Sequence, residues 1–137
     1  MPWEHFSHQS DVGIRGRSTS KAGAFEQAAI ALTAVITDPG KVETNTAVSI
    51  RCEATDDELL FTDWINTLIY EMATRNMLFS RFEVTLLESS LIGRAWGERV
   101  DVGKHEPAVE VKGATYTELH VGQESNGEWI AQCVVDV

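Results

Sequence analysis

The stretch TDDELLFTDWINTLIYEMATR, residues 55 to 75, constrains this chain more than any other. Its apolar residues Phe61, Trp64, Ile65, Leu68, Ile69 and Met72 recur at helical spacing. They spread most of the way round the helix rather than along one stripe. A helix apolar over so wide an arc has to be covered on more than one side. A lone helix lying on one sheet face is therefore a poor solution. Thr55 and Glu58 have capping-box spacing, and three acids occupy the first turn, where the helix dipole favours negative charge.

The rest of the chain supplies the cover. Residues 3 to 9 alternate as a strand, with Trp3, His5 and Ser7 on one face and Glu4, Phe6 and His8 on the other. A second short strand is expected over Val12 to Arg15, beside Gly13 and Gly16. Residues 20 to 37 read as a helix with Ser20 as N-cap, and its alanines would let another layer approach closely. Asp38-Pro39-Gly40 ends it, because proline disfavours helical geometry at the residue before it. Residues 47 to 54 alternate cleanly, with Val48, Ile50, Cys52 and Ala54 inward. Further strands are expected near 81 to 88, 91 to 98, 108 to 112, 115 to 121 and 129 to 137, with Asn126-Gly127 the strongest hairpin signal. This order predicts an α+β fold, a single domain over 1–137 in which antiparallel sheets pack with two helices in layers.

At 137 residues one domain with a real core is the simplest reading. No apolar run approaches the ~20 residues a bilayer crossing needs. The N-terminus lacks the basic and apolar regions of a signal peptide, so cytoplasmic residence and no membrane partner are expected. Cys52 and Cys133 lie far apart, on expected strands, and read as buried apolar residues. The net charge of −10, from 21 acids and 11 bases, repels phosphate backbones and makes direct nucleic-acid binding a poor first guess. It suits divalent cations or a basic protein partner.

Chemistry-bearing residues gather at the two ends of the chain. On the last strand, Asp136 shares its face with Ile130, Gln132 and Val134, next to Val137. It is either a solvated acid at a frayed end or part of a hard-cation site. Calcium and magnesium take oxygen ligands, and Asp11 would be a natural further donor if the first and last strands were neighbours. His5 and His8 fall on opposite strand faces, which argues against both binding one zinc ion. His8 is three residues before Asp11 and could orient its carboxylate. The run GERVDVGKHEPAVEVKGATYTEL places Glu98, Asp101, His105 and Lys112 between strands. No P-loop, nucleophile elbow or dinucleotide fingerprint is present in the sequence. The residues by themselves name no reaction.

Taken together, WEHFSHQSDVGIRG, AFEQAAIAL ending in VITD, LLFTDWINTLIYE, GERVDVGKHEPAVEVKGATYTEL and the terminal CVVDV resemble the archease family over essentially the whole chain. The resemblance implies an accessory activator of the RtcB-type tRNA-splicing RNA ligase, promoting the ligase's guanylylation and multiple turnover. On this reading the chain is not itself an enzyme, and it meets RNA only indirectly, through the ligase. It further implies a divalent metal ion, Ca²⁺ or Mg²⁺, held by Asp11, Asp136 and Val137. Asp38 and Lys112 would act in partner activation. The family commonly has histidine where this chain has Thr117, which puts any role of that histidine in doubt here.

Two other functions fit the same residues. A stand-alone metal-dependent phosphohydrolase would need a second metal or an activated water with its base. A chaperone-like binding module for RNA-processing proteins would be indifferent to loss of Asp11 or Asp136.

Overall fold

A computed structural model describes residues 2–137. In it, β1 (Trp3–His8) and β2 (Asp11–Ser18) form a hairpin, followed by α1 (Lys21–Ile36) and a 3-10 turn, Pro39–Lys41. Then come β3 (Thr46–Glu53), α2 (Asp57–Arg75), β4 (Met77–Leu87), β5 (Ser90–Arg99) and the helical turn α3 (Val102–His105). The chain ends with β6 (Gly113–Ala114), β7 (His120–Gln123) and β8 (Trp129–Asp136). One antiparallel sheet runs β1-β2-β8, with β6 and β7 both on the far edge of β8; the other runs β3-β5-β4. The architecture is α+β, as the sequence predicts.

The breadth of α2's apolar arc has a simple cause. Leu60, Phe61, Trp64, Ile65, Leu68 and Met72 are all buried, while Asp63, Asn66 and Tyr70 form a narrow exposed stripe. The helix packs on β3, β4 and β5 of one sheet and on β6 and β7 of the other. It also meets α1, where Phe25 and Phe61 contact edge to face and the Trp64 indole N–H donates to the Phe25 carbonyl at 3.1 Å.

The alanines of α1 do what their size suggests. Ala24, Ala28, Ala29 and Ala31 are fully buried. At Gly16 of β2 the strand and helix backbones come so close that a Cβ would lie 2.1 Å from the Ala24 carbonyl oxygen. On its other side α1 reaches β4, where the Thr33 hydroxyl donates to the Phe79 carbonyl at 2.6 Å. Ser20 caps α1 by accepting from the Gly23 N–H.

Three local expectations are corrected. The N-cap of α2 is Asp56, which accepts from the Leu59 N–H at 2.8 Å, and not Thr55. Glu58 is drawn instead to the Val121 N–H on β7, so no capping box closes. Residues 108 to 112 form no strand: the Ala108 N–H donates to Ile36 at the end of α1, and the Lys112 N–H to Asp136. Of residues 115 to 121, only the last two join a strand, β7. The Asn126-Gly127 turn does join β7 to β8, with Gly127 at φ +88.

Candidate functional site

The register of the first sheet sets up one row of side chains at its end. Val12 pairs with Val135, and the same register continued by one step places Asp11 opposite Asp136. His8 pairs with Asp11 across the first hairpin, and Gly113 with Asp136 on the other side. The row therefore reads His8, Asp11, Asp136, Gly113 across four strands.

Its direction follows from alternation. Ile14 is fully buried, and Gly16 and Val12 share its face toward the helices. Asp11, Asp136 and His8 consequently point to the opposite, outer face. Asp11 and His8 are half-buried and Asp136 is exposed.

The two ends of the chain meet here. The Val137 N–H donates to Asp11 Oδ1 at 3.4 Å, a long bond that leaves the carboxylate's other oxygen available. The backbone N–H of exposed Lys112 donates to the Asp136 carbonyl at 2.8 Å, so Lys112 enters the same cluster through its main chain. His8 is in register with Asp11, but no hydrogen bond joins their side chains among the described residues.

Asp38 is not in this row. Its exposed carboxylate accepts from the Gly40 N–H at 2.9 Å and caps the 3-10 turn after α1. It lines a groove with Lys41, His105 and Glu106 instead. Thr117 lies in the exposed loop after β6 and takes the Val134 N–H on its carbonyl.

Asp11, Asp136 and the main-chain oxygen of Val137 are oxygen donors only, the ligand type a hard divalent cation takes. Among the described residues no three His, Cys, Asp or Glu side chains gather closely enough to hold a metal. A cation held at this row would thus draw its third oxygen from Val137.

A second polar network, only partly visible in the sequence, fixes the segment that delivers Lys112. His105 is buried, and its Nδ1 accepts the Asp101 N–H at 2.9 Å. That assigns the ring proton to Nε2, which donates to Glu98 at 2.9 Å. The same carboxylate takes Lys104 Nζ at 2.8 Å and the Glu43 N–H at 2.9 Å. These donors, Lys104 foremost, hold Glu98 down to about 2. The Thr37 hydroxyl donates to the His105 carbonyl at 2.6 Å, tying the network to the end of α1. The strap 106–112 thus starts from a fixed point and ends at Asp136. Asp101, three residues before Lys104, is the one sequence signal for this turn, since its side chain caps the Lys104 N–H.

The cysteines are both free and buried. Burial pushes the Cys52 thiol up to about 11 and the Cys133 thiol to about 12.

Two antiparallel sheets enclosing two helices, with the chain ends meeting in an oxygen-rich row, define a small α+β protein without a recognisable nucleophile or cofactor motif. Residues 3–137 match the model of the archease protein family (MTH1598/TM1083), and the chain belongs to that family. The protein archease of Pyrococcus furiosus is 36% identical over 139 aligned residues, covering 98% of both chains. That of Sulfurisphaera tokodaii is 38% identical over 137, again covering 98% of each. The solution structure of Methanobacterium thermoautotrophicum protein 1598 superposes with a TM-score of 0.87 at 30% identity, covering 99% of each chain. The crystal structure of an archease from Thermotoga maritima, described as a possible chaperone, has a TM-score of 0.62 at 15% identity, covering 96% of this chain and 94% of that one. The last likeness is one of fold alone.

Proposed function

We propose that this chain is an accessory activator of an RtcB-type RNA ligase, a protein that promotes the ligase's guanylylation and repeated turnover without performing ligation itself. Membership of the archease family supports this reading. The single observation that carries it furthest is the meeting of Asp11, Asp136, Val137 and the Lys112 main chain at one sheet end. Asp11, Asp136 and Val137, the last through a main-chain oxygen, would hold Ca²⁺ or Mg²⁺. A bound cation there supplies positive charge close to a phosphate or to the partner's own carboxylates. Exposed Lys112, tied to Asp136 through its main chain, would add an ammonium for the partner, and Asp38 a further carboxylate from its own groove.

The chain's part is charge positioning. Phosphoryl transfer needs alignment and neutralisation of oxygens more than covalent help, so a partner can accelerate it without becoming a catalyst. RNA is met through the ligase, in the cytoplasm, where no membrane attachment is needed; no helix among the described residues is long and apolar enough to cross a bilayer.

The test is guanylylation and multiple-turnover ligation by the cognate ligase, with the parent chain and with folded Asp11→Ala and Asp136→Ala variants. Each is assayed in chelated buffer and with Mg²⁺ or Ca²⁺ added. Stimulation by the parent and its loss in both variants is the expected result; equal stimulation by all three refutes the metal-site reading.

The Thermotoga relative's description favours a second reading, a chaperone-like module for RNA-processing proteins. It predicts protection of unrelated clients from aggregation by the parent and by Asp136→Ala alike.

A further inference from the structure

Strand β3 ends the β3-β5-β4 sheet and leaves one edge unpaired. Its eight residues pair with β5 without a bulge. Just past the strand, the Ala54 N–H donates to the Ser89 carbonyl at 3.2 Å, one step beyond the pairing of Glu53 with Ser90. Successive residues turn their backbone groups to opposite edges, so Thr46, Val48, Ile50 and Cys52 also face β5. Ala47, Ser49, Arg51 and Glu53 therefore turn their N–H and C=O groups to the free edge. All four residues are exposed, and among the described residues no hydrogen bond reaches those groups.

An open edge is a template for another extended chain, and folds blunt such edges with proline, lysine, a bulge or a cover. The opposite edge of this sheet is blunted. β4 has an irregularity between Phe79 and Arg81, and its Val84 N–H donates to Glu26 of α1 at 2.8 Å. β3 has no proline, lysine or bulge. Beside its C-terminal end lies a groove of about 270 Å³, between Glu53, Leu59 and Asp63 of α2, and Tyr116. Asp63 comes close enough to β3 to add to the rise that burial causes in the Cys52 thiol. Glu53 and Asp63 are exposed, and neither has an ion-pair partner among the described residues. The one base on β3, Arg51, belongs to the outer face with Ser49, turned away from α2.

We infer that the free edge of β3 takes an extended basic segment of a partner protein as a further antiparallel strand, with a lysine or arginine entering the groove beside Asp63 and Glu53. Main-chain bonds to Ala47, Ser49, Arg51 and Glu53 give such a strand its hold, and the groove selects its side chain. The incoming residues bonded to β3 lie opposite those four and share their outer face, so they are uncharged beside Arg51. The residues between them point toward α2, over the groove, and these are the basic ones. Tyr116, 71% exposed, adds an aromatic ring for the cation to meet. A second copy of this chain fits less well. Edge against edge, it would bring together both pairs of Glu53 and Asp63 on two chains of net charge −10. The docking does not rest on the ligase reading, because its probes are defined peptides and no ligase is present.

The experiment titrates the full chain with three peptides of about ten residues: one alternating lysine and threonine, its glutamine counterpart, and the lysine peptide with its threonine nitrogens methylated. Calorimetry reports affinity and amide exchange reports place. The lysine peptide is expected to bind at least about tenfold tighter than either other probe. It should slow exchange at Ala47, Ser49, Arg51 and Glu53 more than at Trp3, His5 and Ser7 of the other sheet's edge strand β1. The double variant Glu53→Gln, Asp63→Asn is expected to lose about tenfold or more of that affinity with an unchanged melting temperature, both side chains being exposed. Equal binding of the lysine peptide and either counterpart, no added protection at the four β3 amides, or retention of affinity by the double variant would each overturn it. So would no binding up to about 5 mM, or β3 protection that grows with the concentration of the chain alone and marks a second copy as the occupant.

Discussion

Gly16→Ala should destabilise the chain although the substitution adds only one methyl group. The new Cβ would lie 2.1 Å from the Ala24 carbonyl oxygen and 2.3 Å from the Ala28 nitrogen. Both are backbone atoms of a buried helix, so neither can swing aside. Ordinary contact would require α1 and β2 to separate by about 1 Å, and overpacking of this kind costs ~1–3 kcal/mol. The upper end applies, because α1 is wedged between two sheets and has nowhere to move. Alanine returns ~0.4–1 kcal/mol by restricting the unfolded chain. A net loss of about 2 kcal/mol remains. With an unfolding entropy of ~2.1 cal/mol/K per residue, this chain length gives ~0.29 kcal/mol/K, so melting should fall by about 7 °C. Gly103→Ala is the control, since its nearest neighbour would be Asp101 Oδ1 at 3.5 Å. Far-UV circular dichroism melts of parent and both variants provide the measurement. If Gly16→Ala melts within about 2 °C of the parent, the close approach of helix and strand is not what fixes the layer spacing.

Other outcomes follow from the same packing and charges. Glu98 is held at about 2, below its ordinary value of 4.5, so its stabilising contribution is complete above 4.5 and fades as pH falls toward 2; urea melts across that window should be flatter for Glu98→Gln, and parallel curves would contradict the assignment. With both thiols raised by burial, the native chain should not react with Ellman's reagent at pH 8 and should yield two equivalents once unfolded; a fast native equivalent would show an open thiol. Calcium at ~100-fold over its Kd should add ~2.7 kcal/mol, raising the parent's melting temperature by about 9 °C, with no rise in Asp136→Ala; equal shifts in both would move the ion elsewhere. His105→Ala removes the acceptor of the Asp101 N–H, an ordinary hydrogen bond worth ~0.5–1.5 kcal/mol; amide exchange at Lys112 should then quicken more than at Ile14, and equal acceleration would mean global loosening instead of a released strap.

The long elements were legible because their periodicity reports burial directly. The apolar arc of α2 and the alternation of β3 each name the faces that the structure buries, whereas β8 is buried on both, with Ile130 and Val134 as covered as Ala131, Cys133 and Val135. Where the sequence reading missed, a distant partner decided the outcome. Thr55 and Glu58 have the right spacing for a local cap, but Glu58 goes to β7 and Asp56 is better placed for the Leu59 N–H. Residues 108 to 112 alternate, yet their backbone is claimed at one end by Ile36 and at the other by Asp136, so they run as a strap. Of that stretch only Val111 is buried. α3, at four residues, is too short to have a period at all. Asp38 lies outside the row, and its place at the head of the turn, with one carboxylate oxygen accepting from the Gly40 N–H, depends on how Pro39 and Gly40 bend the chain after α1.

The placement of the candidate site follows from one feature of topology. β8 is the last strand to be made, and it pairs with the first hairpin on one edge and with β6 and β7 on the other. Its C-terminal end is therefore flanked by the turn of the first hairpin and by the strap that starts at His105. Asp11, Asp136 and Lys112 are far apart in sequence, but each sits at a position fixed by backbone pairing. The two sides differ in how firmly they are held. Asp11 is carried by strands whose register runs seven pairs deep between β2 and β8. β6 has only two pairs with β8, so Lys112 depends on the His105–Glu98 network at the far end of its strap. A change at His105 or Glu98 should therefore reach Lys112 while leaving the two carboxylates in register, which separates the lysine's contribution from that of the acids without altering any of the three.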